Sequence, residues 1–267
     1  MMAARSAFRK ASFWVAGAGG YCTSMYLAYH YVQLTKGGSV CDCGHNDAPL
    51  RAQRFDAIAK TYDKDIWQDE FFMGINLLRR MLLFFHAKGN CLEVGAGTCR
   101  NLPYYRLSSN VVRRVVVSDA SEQMIQQSNE KIGKLPLEKR KRFAALQSDA
   151  SEISLPSNSF DTVVDTFGLC SFDEPEVVLK EMARLCKPTG KILLLEHGRS
   201  HSWDFVTKHL DENAEQHAAN WGCVWNRDLD AMLEGARDVM KVEVLHRYHF
   251  GTTYYIVCRP IKEENHR

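Results

Sequence analysis

The sequence has almost no net charge and no long run of one sign. Lys and Arg number 34 and Asp and Glu 32, which leaves +2 at pH 7. The one basic cluster, residues 138–142 (EKRKR), is typical of a solvated helix end. Because nucleic-acid-binding surfaces are strongly basic, we expect no nucleic-acid partner. Repeats and low-complexity segments are absent, and the ordinary apolar and charged fractions argue against disordered, collagenous and wholly membrane-embedded classes.

A cysteine framework is also lacking. The nine cysteines are an odd number, and most stand within strand-like or helix-like apolar patterns. We expect Cys91, Cys170, Cys186 and Cys258 to be small buried apolar residues rather than disulfide partners.

The segment CDCGH is the exception. Its Cys41, Cys43 and His45 could bind a metal or form an accessible thiol pair, or they could be incidental residues of a linker. No second cluster at regular zinc spacing follows. The linker interpretation is therefore favoured, and we expect no metal site.

The first forty residues contain no acid. Their basic, Ser-containing start has the composition of a mitochondrial presequence. Residues 11–35 then lack Lys, Arg, Asp and Glu, and a membrane span needs about twenty residues. This pattern predicts a single-pass anchor; a cleaved targeting peptide and a helix packed on the soluble domain are the alternatives. The expected organisation is an anchor segment 1–40, a linker 41–52, one domain over 53–260 and a tail 261–267.

From residue 50 onward, helical and strand-like patterns alternate. Residues 54–85 space apolar side chains as two helices would. Strands are predicted at CLEV, VVRRVVVSD, RFAALQSD, FDTVVDTFGLCS and KILLLEH, with a helix EPEVVLKEMARLC ended by a KPTG turn. Such alternation predicts an α/β fold with a mostly parallel sheet. The last two runs, VMKVEVLHRYH and TTYYIVCRP, predict an antiparallel C-terminal hairpin.

A glycine turn follows the first predicted strand. Glu93 precedes Gly95 and Gly97, which let the backbone approach a ligand closely. Several nucleotide cofactors share such a turn, so alone it is a weak signal. A third glycine and a hydride-transfer site are missing, which argues against a nicotinamide-dependent dehydrogenase.

Acidic residues end the next two strands. Asp119 could accept both hydroxyls of a ribose, and Asp149, followed by Ala150, could accept an adenine amine. Met124, one turn into the following helix, could cover an adenine face. The alternative for each acid is a solvated strand end or a helix cap, and Asp119, which precedes Ser121, could be such a cap. Their order along successive strand ends favours a nucleoside site, because ligands bind at the carboxyl ends of strands.

These motifs carry a family resemblance. FDAIAKTYD, LEVGAGTCRN, SDASEQM, LPSNSFDTVV and LKEMARLCKPTGKILLLEHG resemble class I S-adenosylmethionine (SAM)-dependent methyltransferases of the ubiquinone/menaquinone C-methyltransferase branch. DTFGLCS, LLLEHGRS and WGCVWNRDL are similar to mitochondrial inner-membrane methyltransferase-like proteins and, more distantly, to membrane-associated thiol methyltransferase-like proteins. The resemblance covers residues 53–259 and implies a Rossmann-like sheet with SAM as cofactor.

The resemblance also implies roles for single residues. The glycine turn and Glu93 would hold the methionyl part, Asp119 the ribose, and Asp149 with Ala150 the adenine, while Tyr62 would close over the cofactor. The expected cofactor-binding set is Tyr62, Glu93, Gly95, Gly97, Asp119, Met124, Asp149, Ala150 and Thr166. Cys99 departs from the family, since it stands where a glycine is usual. It lies either behind the cofactor or against the methionyl carboxylate.

Candidate acid–base residues follow the fourth and fifth strands. They are Cys170, His197 and His201, of which His197 and Cys170 form the expected catalytic set. A hydrogen-bonded structural histidine beside Glu196 is the alternative for His197. Three tryptophans in the insert after the fifth strand would wall an acceptor pocket or pack in the core: Trp203, Trp221 and Trp225.

Two functions remain open from the sequence. The first is a methyltransferase acting on a small apolar acceptor, such as a quinone precursor, a lipid or a thiol, at the mitochondrial inner membrane. The second is a SAM-binding subunit with little or no activity that serves the assembly or structure of a mitochondrial membrane complex. Both place the N-terminal segment in the membrane.

Overall fold

The computed structural model describes residues 48–262, with side chains from residue 53 onward. The predicted anchor segment 1–40, the loop of Cys41, Cys43 and His45, and nearly all of the predicted tail lie outside this range. Between residues 48 and 262, no helix combines the length and the apolar character that crossing a membrane requires.

One sheet of seven strands organises this part of the chain. The strands are β1 (Gly89–Val94), β2 (Val112–Asp119), β3 (Phe143–Gln147), β4 (Phe160–Thr166), β5 (Cys186–His197), β6 (Met240–Tyr248) and β7 (Thr253–Pro260). Their order is β3-β2-β1-β4-β5-β7-β6. Strands β1 to β5 run parallel to one another, and β7 pairs antiparallel with both β5 and β6. The predicted mixed α/β sheet with an antiparallel C-terminal pair is confirmed.

Helices cover the sheet. They are α1 (Ala48–Ile58), α2 (Tyr62–Phe72), α3 (Ile75–His86), α4 (Glu122–Gly133), α5 (Leu137–Arg140), α6 (Pro175–Leu185), α7 (Asp204–Glu212), α8 (Ala214–Trp221) and α9 (Leu229–Gly235). Residues 54–85 therefore belong to three helices, and the prediction of two was wrong. Gly74, with φ of 66°, ends one helical run in the left-handed conformation that favours glycine.

The two faces of the sheet have separate cores. Leu179 and Met182 of α6 pack on one face, and Leu82 and Leu83 of α3 pack on the other. Burial on both faces explains why the central strands read as continuous apolar runs. The cysteines expected in the core are buried: Cys91, Cys170, Cys186 and Cys258.

The predicted KPTG turn is instead part of a strand. Helix α6 ends at Leu185 and β5 begins at Cys186 without a connecting loop. Pairing of β5 with β4 then jumps from Cys186 to Lys191, so that residues 187–190 bulge out of the ladder. Gly190 fits this bulge because a Cβ there would lie 2.6 Å from the Cys186 sulfur.

Candidate functional site

A cavity of about 720 Å³ opens at the carboxyl ends of β1, β2 and β4. This is where ligands bind in open α/β sheets. Most of the predicted cofactor-binding residues line it: Tyr62, Gly95, Gly97, Asp119, Met124, Asp149, Ala150 and Thr166. Glu93, Cys170 and His197 are not among its lining residues.

The turn after β1 has the backbone that glycine permits. Gly95 and Gly97 have φ of 58° and 54°. A Cβ on Gly95 would lie 2.8 Å from the Phe172 ring, whereas a Cβ on Gly97 would meet open space. The backbone at Gly97 is therefore accessible to a ligand.

Asp119 ties this turn to the end of β2. Its Oδ2 accepts the Gly97 N–H at 2.8 Å, and its Oδ1 accepts the Ser121 N–H at 2.9 Å. Burial raises the pKa of the Asp119 carboxyl, although these N–H groups oppose the shift. Ser121, rather than Asp119, caps α4, because its hydroxyl accepts the Met124 N–H.

Cys99 lies behind the turn. Its side chain is buried in the core that includes Leu82 and Val115, and it does not line the cavity. Its φ of 60° is the left-handed conformation in which a glycine would be unstrained. Burial raises the pKa of the Cys99 thiol well above its usual range, so the thiol stays neutral.

Glu93 supports the cavity from below. It is fully buried, and its two oxygens accept hydrogen bonds from the Tyr105 hydroxyl at 2.7 Å and the Asn101 amide at 3.0 Å. Burial raises the pKa of Glu93 to about 7. Asn101 also donates to the Thr166 hydroxyl at 3.0 Å, which connects Glu93 to the cavity wall.

A buried ionic network forms one side of the cavity and was not predicted. Arg79 of α3 donates to Thr166 at 2.6 Å, to Asn101 at 3.1 Å and to Glu70 at 2.8 Å. Arg100 binds the second oxygen of Glu70 at 2.5 Å. Burial alone would raise the pKa of Glu70, but the two guanidinium groups outweigh it and hold the pKa below its usual value.

A sequence signal for Arg79 does exist. Arg79 falls on the same helix face as four apolar residues, all of which are buried: Ile75, Leu78, Leu82 and Leu83. An arginine on the apolar face of an amphipathic helix requires a buried partner. The sequence therefore indicated that Arg79 has buried polar partners, but it did not identify them as Glu70, Asn101 and Thr166.

A pair of carboxyl groups lies between β4 and β5. Asp165 and Glu196 are both fully buried. Both carboxyl oxygens of Asp165, and Oε2 of Glu196, accept no hydrogen bond from another described group. Burial raises the pKa of Asp165 to about 8 and, together with the nearby Asp165, that of Glu196 well above its usual range. A retained proton lets one carboxyl donate to the other.

This pair supports the segment after β4. Phe167 donates its N–H to Glu196 at 3.1 Å and has φ of 62°. The next residue, Gly168, packs so closely that a Cβ would lie 2.2 Å from Asp165 Oδ1. Both residues line the cavity.

The predicted acid–base candidates lie behind this segment. Cys170 is buried, and its sulfur lies close to His197 and to Cys223, a residue that sequence reasoning missed. The ring centroids of His197 and Phe167 are 4.3 Å apart. His201 is exposed and pairs with Asp228 at 3.1 Å.

The three tryptophans of the insert do not line the cavity. Trp203 is exposed and packs edge-on against Phe250. Trp225 stacks on His217 and donates to the Leu210 carbonyl at 2.9 Å.

Comparison with known proteins agrees with this architecture. Residues 92–194 match the family model of a methyltransferase domain. The chain is 38% identical over 216 residues to Methyltransferase OMS1, mitochondrial, of Saccharomyces cerevisiae, an alignment covering 75% of this chain and 44% of that protein. The chain thus spans less than half the length of this relative.

One further relative and one solved structure bear on family and fold. The chain is 34% identical over 147 residues to the Phosphatidylethanolamine N-methyltransferase of Cereibacter sphaeroides, covering 53% of this chain and 68% of that protein. A chain in the solved complex of the Haloferax volcanii Trm112 methyltransferase activator with a methyltransferase has a TM-score of 0.60 at 16% identity, covering 82% of this chain and 100% of its own. The second likeness concerns the fold alone.

Proposed function

Because this chain belongs to the class I SAM-dependent methyltransferases, we propose that it transfers a methyl group to a small apolar acceptor at a mitochondrial membrane. The observation that carries the proposal is the cavity at the strand ends, together with exposed aromatic side chains on the elements beside it. A quinone precursor or a lipid is the acceptor class that these surfaces favour, and a thiol remains a third candidate.

The cavity fits SAM in size and in chemistry. Its volume of about 720 Å³ lies within the usual range of about 300–1,000 Å³ for small-molecule sites. We assign the open backbone at Gly97 to the methionyl part, Asp119 to the ribose and the exposed carboxylate of Asp149 to the adenine amine. Met124, buried at the wall, offers a thioether to the adenine face.

Catalysis by this arrangement rests on alignment. SAM supplies an electrophilic methyl group on a sulfonium, and its in-line displacement mainly requires positioning and a dry site. Phe167 and Phe172 exclude water from one wall, while Arg79 and Asn101 fix the Thr166 hydroxyl. The described residues that line the cavity include no histidine, lysine or cysteine, so the expected base role of His197 or Cys170 has no support from their placement.

A membrane setting is supported by an exposed aromatic cluster. Trp67, Phe71 and Phe72 of α2 form one part, and Trp203, Phe205 and Phe250 form the other. The His249 side chain donates to the Met73 carbonyl at 2.8 Å and thereby joins the two parts. Contiguous exposed apolar patches mark interaction surfaces, and Trp and Phe side chains suit the boundary of a bilayer.

The relatives support the same setting. The yeast relative is named as mitochondrial, and the bacterial one is named for a phospholipid. We therefore propose that residues 1–40 anchor the domain in the inner membrane and that the aromatic cluster rests on the lipid surface. An acceptor dissolved in the bilayer would then reach the cavity without crossing water.

The direct test is transfer of a labelled methyl group from SAM to lipid and quinone extracts of mitochondria. We expect label in an apolar product, and we expect Asp149→Ala to reduce it through weaker SAM binding. Asp238→Ala, which changes an exposed carboxylate outside the cavity, should leave it unchanged. SAM binding without transfer to any extract would instead favour an assembly subunit with little activity.

The lipid-facing role has its own test. Replacing Phe71 and Phe72 together by serine should reduce transfer to acceptors in vesicles by at least about tenfold. The two side chains are about half exposed, so burying the rest of both rings would together contribute about 1.5–3 kcal/mol. Transfer to a soluble short-chain acceptor should not change. Leu137→Ser, at another exposed apolar site, is the control. Equal losses on both acceptors would show that the cluster does not serve membrane contact.

A further inference from the structure

Two thiols and an imidazole converge beside the cavity wall. Cys170 follows β4, His197 ends β5, and Cys223 follows α8. One ligand atom of each lies within 4.8 Å of the other two. The Cys223 sulfur is 3.8 Å from Nδ1 of His197.

Backbone hydrogen bonds hold these three segments together. The Cys170 carbonyl accepts the Val224 N–H at 2.8 Å, next to Cys223. Arg227 donates to the Phe172 carbonyl at 2.6 Å and closes the same junction. The arrangement of the three side chains is therefore fixed by the fold rather than by their own contacts.

The other core cysteines differ. Cys91, Cys186 and Cys258 are equally buried, and residues 48–262 place none of them within ligand-sharing distance of a histidine and a second cysteine. Simple packing would account for a buried cysteine at each of those positions. It does not account for two cysteines and a histidine drawn from three distant segments.

We propose that Cys170, His197 and Cys223 bind one Zn²⁺ ion. Two thiolates and an imidazole are ligands that zinc prefers, and a three-ligand set leaves one position open. With Zn–S near 2.3 Å and Zn–N near 2.0 Å, a tetrahedral site sets sulfur and nitrogen about 3.5 Å apart. The observed sulfur–nitrogen separation of 3.8 Å is close to that value.

Charge balance favours the same ion. Binding releases one proton from each thiol, and the two thiolates then neutralise the divalent cation inside a buried site. The ion would cross-link the end of β5, the segment after β4 and the segment after α8. Ser171, next to Cys170, lines the cavity, so this cross-link would lie one residue from the cavity wall.

The test uses the full chain carrying Cys41→Ser and Cys43→Ser, so that the N-terminal thiol loop does not contribute. The protein is stripped with a chelator, reloaded with zinc and measured by elemental analysis and by competition with a chromophoric chelator. We expect one zinc per chain. Replacement of zinc by cobalt should give the thiolate-to-metal absorption of a two-sulfur site.

Variants then assign the ligands. Because loss of a group that only orients a ligand already costs about 10–100-fold in metal affinity, Cys170→Ala and Cys223→Ala should each cost at least about 100-fold. Cys186→Ala, an equally buried cysteine, should retain full affinity. Circular dichroism verifies that each variant folds. If Cys170→Ala does not fold, the zinc affinity of Cys223→Ala and the cobalt spectrum still test whether the site exists.

Two results would overturn the proposal. One is equal zinc affinity in the Cys170→Ala/Cys223→Ala double variant and the Cys186→Ala control. The other is a Cys170–Cys223 disulfide that persists when the protein is purified under reductant, because a disulfide cannot ligate zinc.

Discussion

Replacing Asp165 by asparagine should make the stability of the protein less sensitive to rising pH. Asp165 and Glu196 are fully buried on neighbouring strands. Burial raises the pKa of Asp165 to about 8, and that of Glu196 is raised well above its usual range. Between pH 5 and pH 7 the folded pair therefore holds at least one proton that the unfolded chain has released.

The sign and size follow from this proton. A proton bound only in the folded state lowers the free energy of unfolding by about 1.36 kcal/mol for each unit of rising pH. The contribution is fully present below the unfolded carboxyl pKa and is lost as the pH rises towards about 8. From pH 5 to pH 7 the loss amounts to about 3 kcal/mol. Asparagine keeps one acceptor oxygen, donates to Glu196 and needs no proton, so the variant should escape this loss.

Urea unfolding at pH 5, 6 and 7 measures the difference. We expect the stability of Asp165→Asn relative to the wild type to rise by about 3 kcal/mol over that range. Asp161→Asn is the control. Burial alone would raise the pKa of Asp161, but Lys187 and the Asn90 N–H hold it below its usual value, so its contribution is lost only in acid. Parallel pH curves for Asp165→Asn and the wild type would show that the pair takes up no proton on folding.

Three further changes test the site. Asp119→Ala should weaken SAM binding by about 1–3 kcal/mol in isothermal titration, because it removes the carboxylate that we assign to the ribose; unchanged affinity would contradict that assignment. Arg79→Met should lower the free energy of unfolding by about 3–5 kcal/mol, since it breaks a buried ion pair, whereas the exposed Arg80→Met should change it little. Cys99→Gly removes the strain of a non-glycine residue in the left-handed conformation, which is about 1–2 kcal/mol. It also loses the packing of a buried thiol, which offsets that gain. Its stability should stay within about 1 kcal/mol of the wild type and its SAM affinity should be unchanged; a tenfold loss of affinity would place the thiol at the cofactor.

The strand ends were predictable because short-range patterns carry them. Gly95, Asp119 and Asp149 each follow an apolar run, and parallel strands bring their carboxyl ends to one edge of the sheet. Neither strand order nor exact register was needed to expect these residues around one cavity. Tyr62 and Thr166, which the family resemblance assigned to the cofactor, also line this cavity.

Pairs that depend on register were not predictable. Asp165 and Glu196 meet because β5 pairs with β4 after a jump from Cys186 to Lys191, and the KPTG segment gave no sign of that jump. A shift of one residue would turn either carboxyl to the opposite face of the sheet. The family resemblance assigned Glu93 to the methionyl part of the cofactor. In the structure the Glu93 carboxylate lies beneath the cavity, where it accepts hydrogen bonds from Tyr105 and Asn101, and it does not line the cavity.

The segment Phe167–Phe172 connects these features. It forms one wall of the cavity; Glu196 holds the Phe167 N–H from below, and Cys170, with its neighbours His197 and Cys223, lies behind it. A charge placed on the carboxyl pair, or a change in the occupancy of the proposed zinc site, should therefore be felt at this wall. Effects of pH and of metal on ligand binding should thus appear together, and Asp165→Asn and Cys223→Ala should alter acceptor binding more than they alter the SAM contacts at Asp119 and Asp149. Steady-state KM values for acceptor and for SAM separate these two effects.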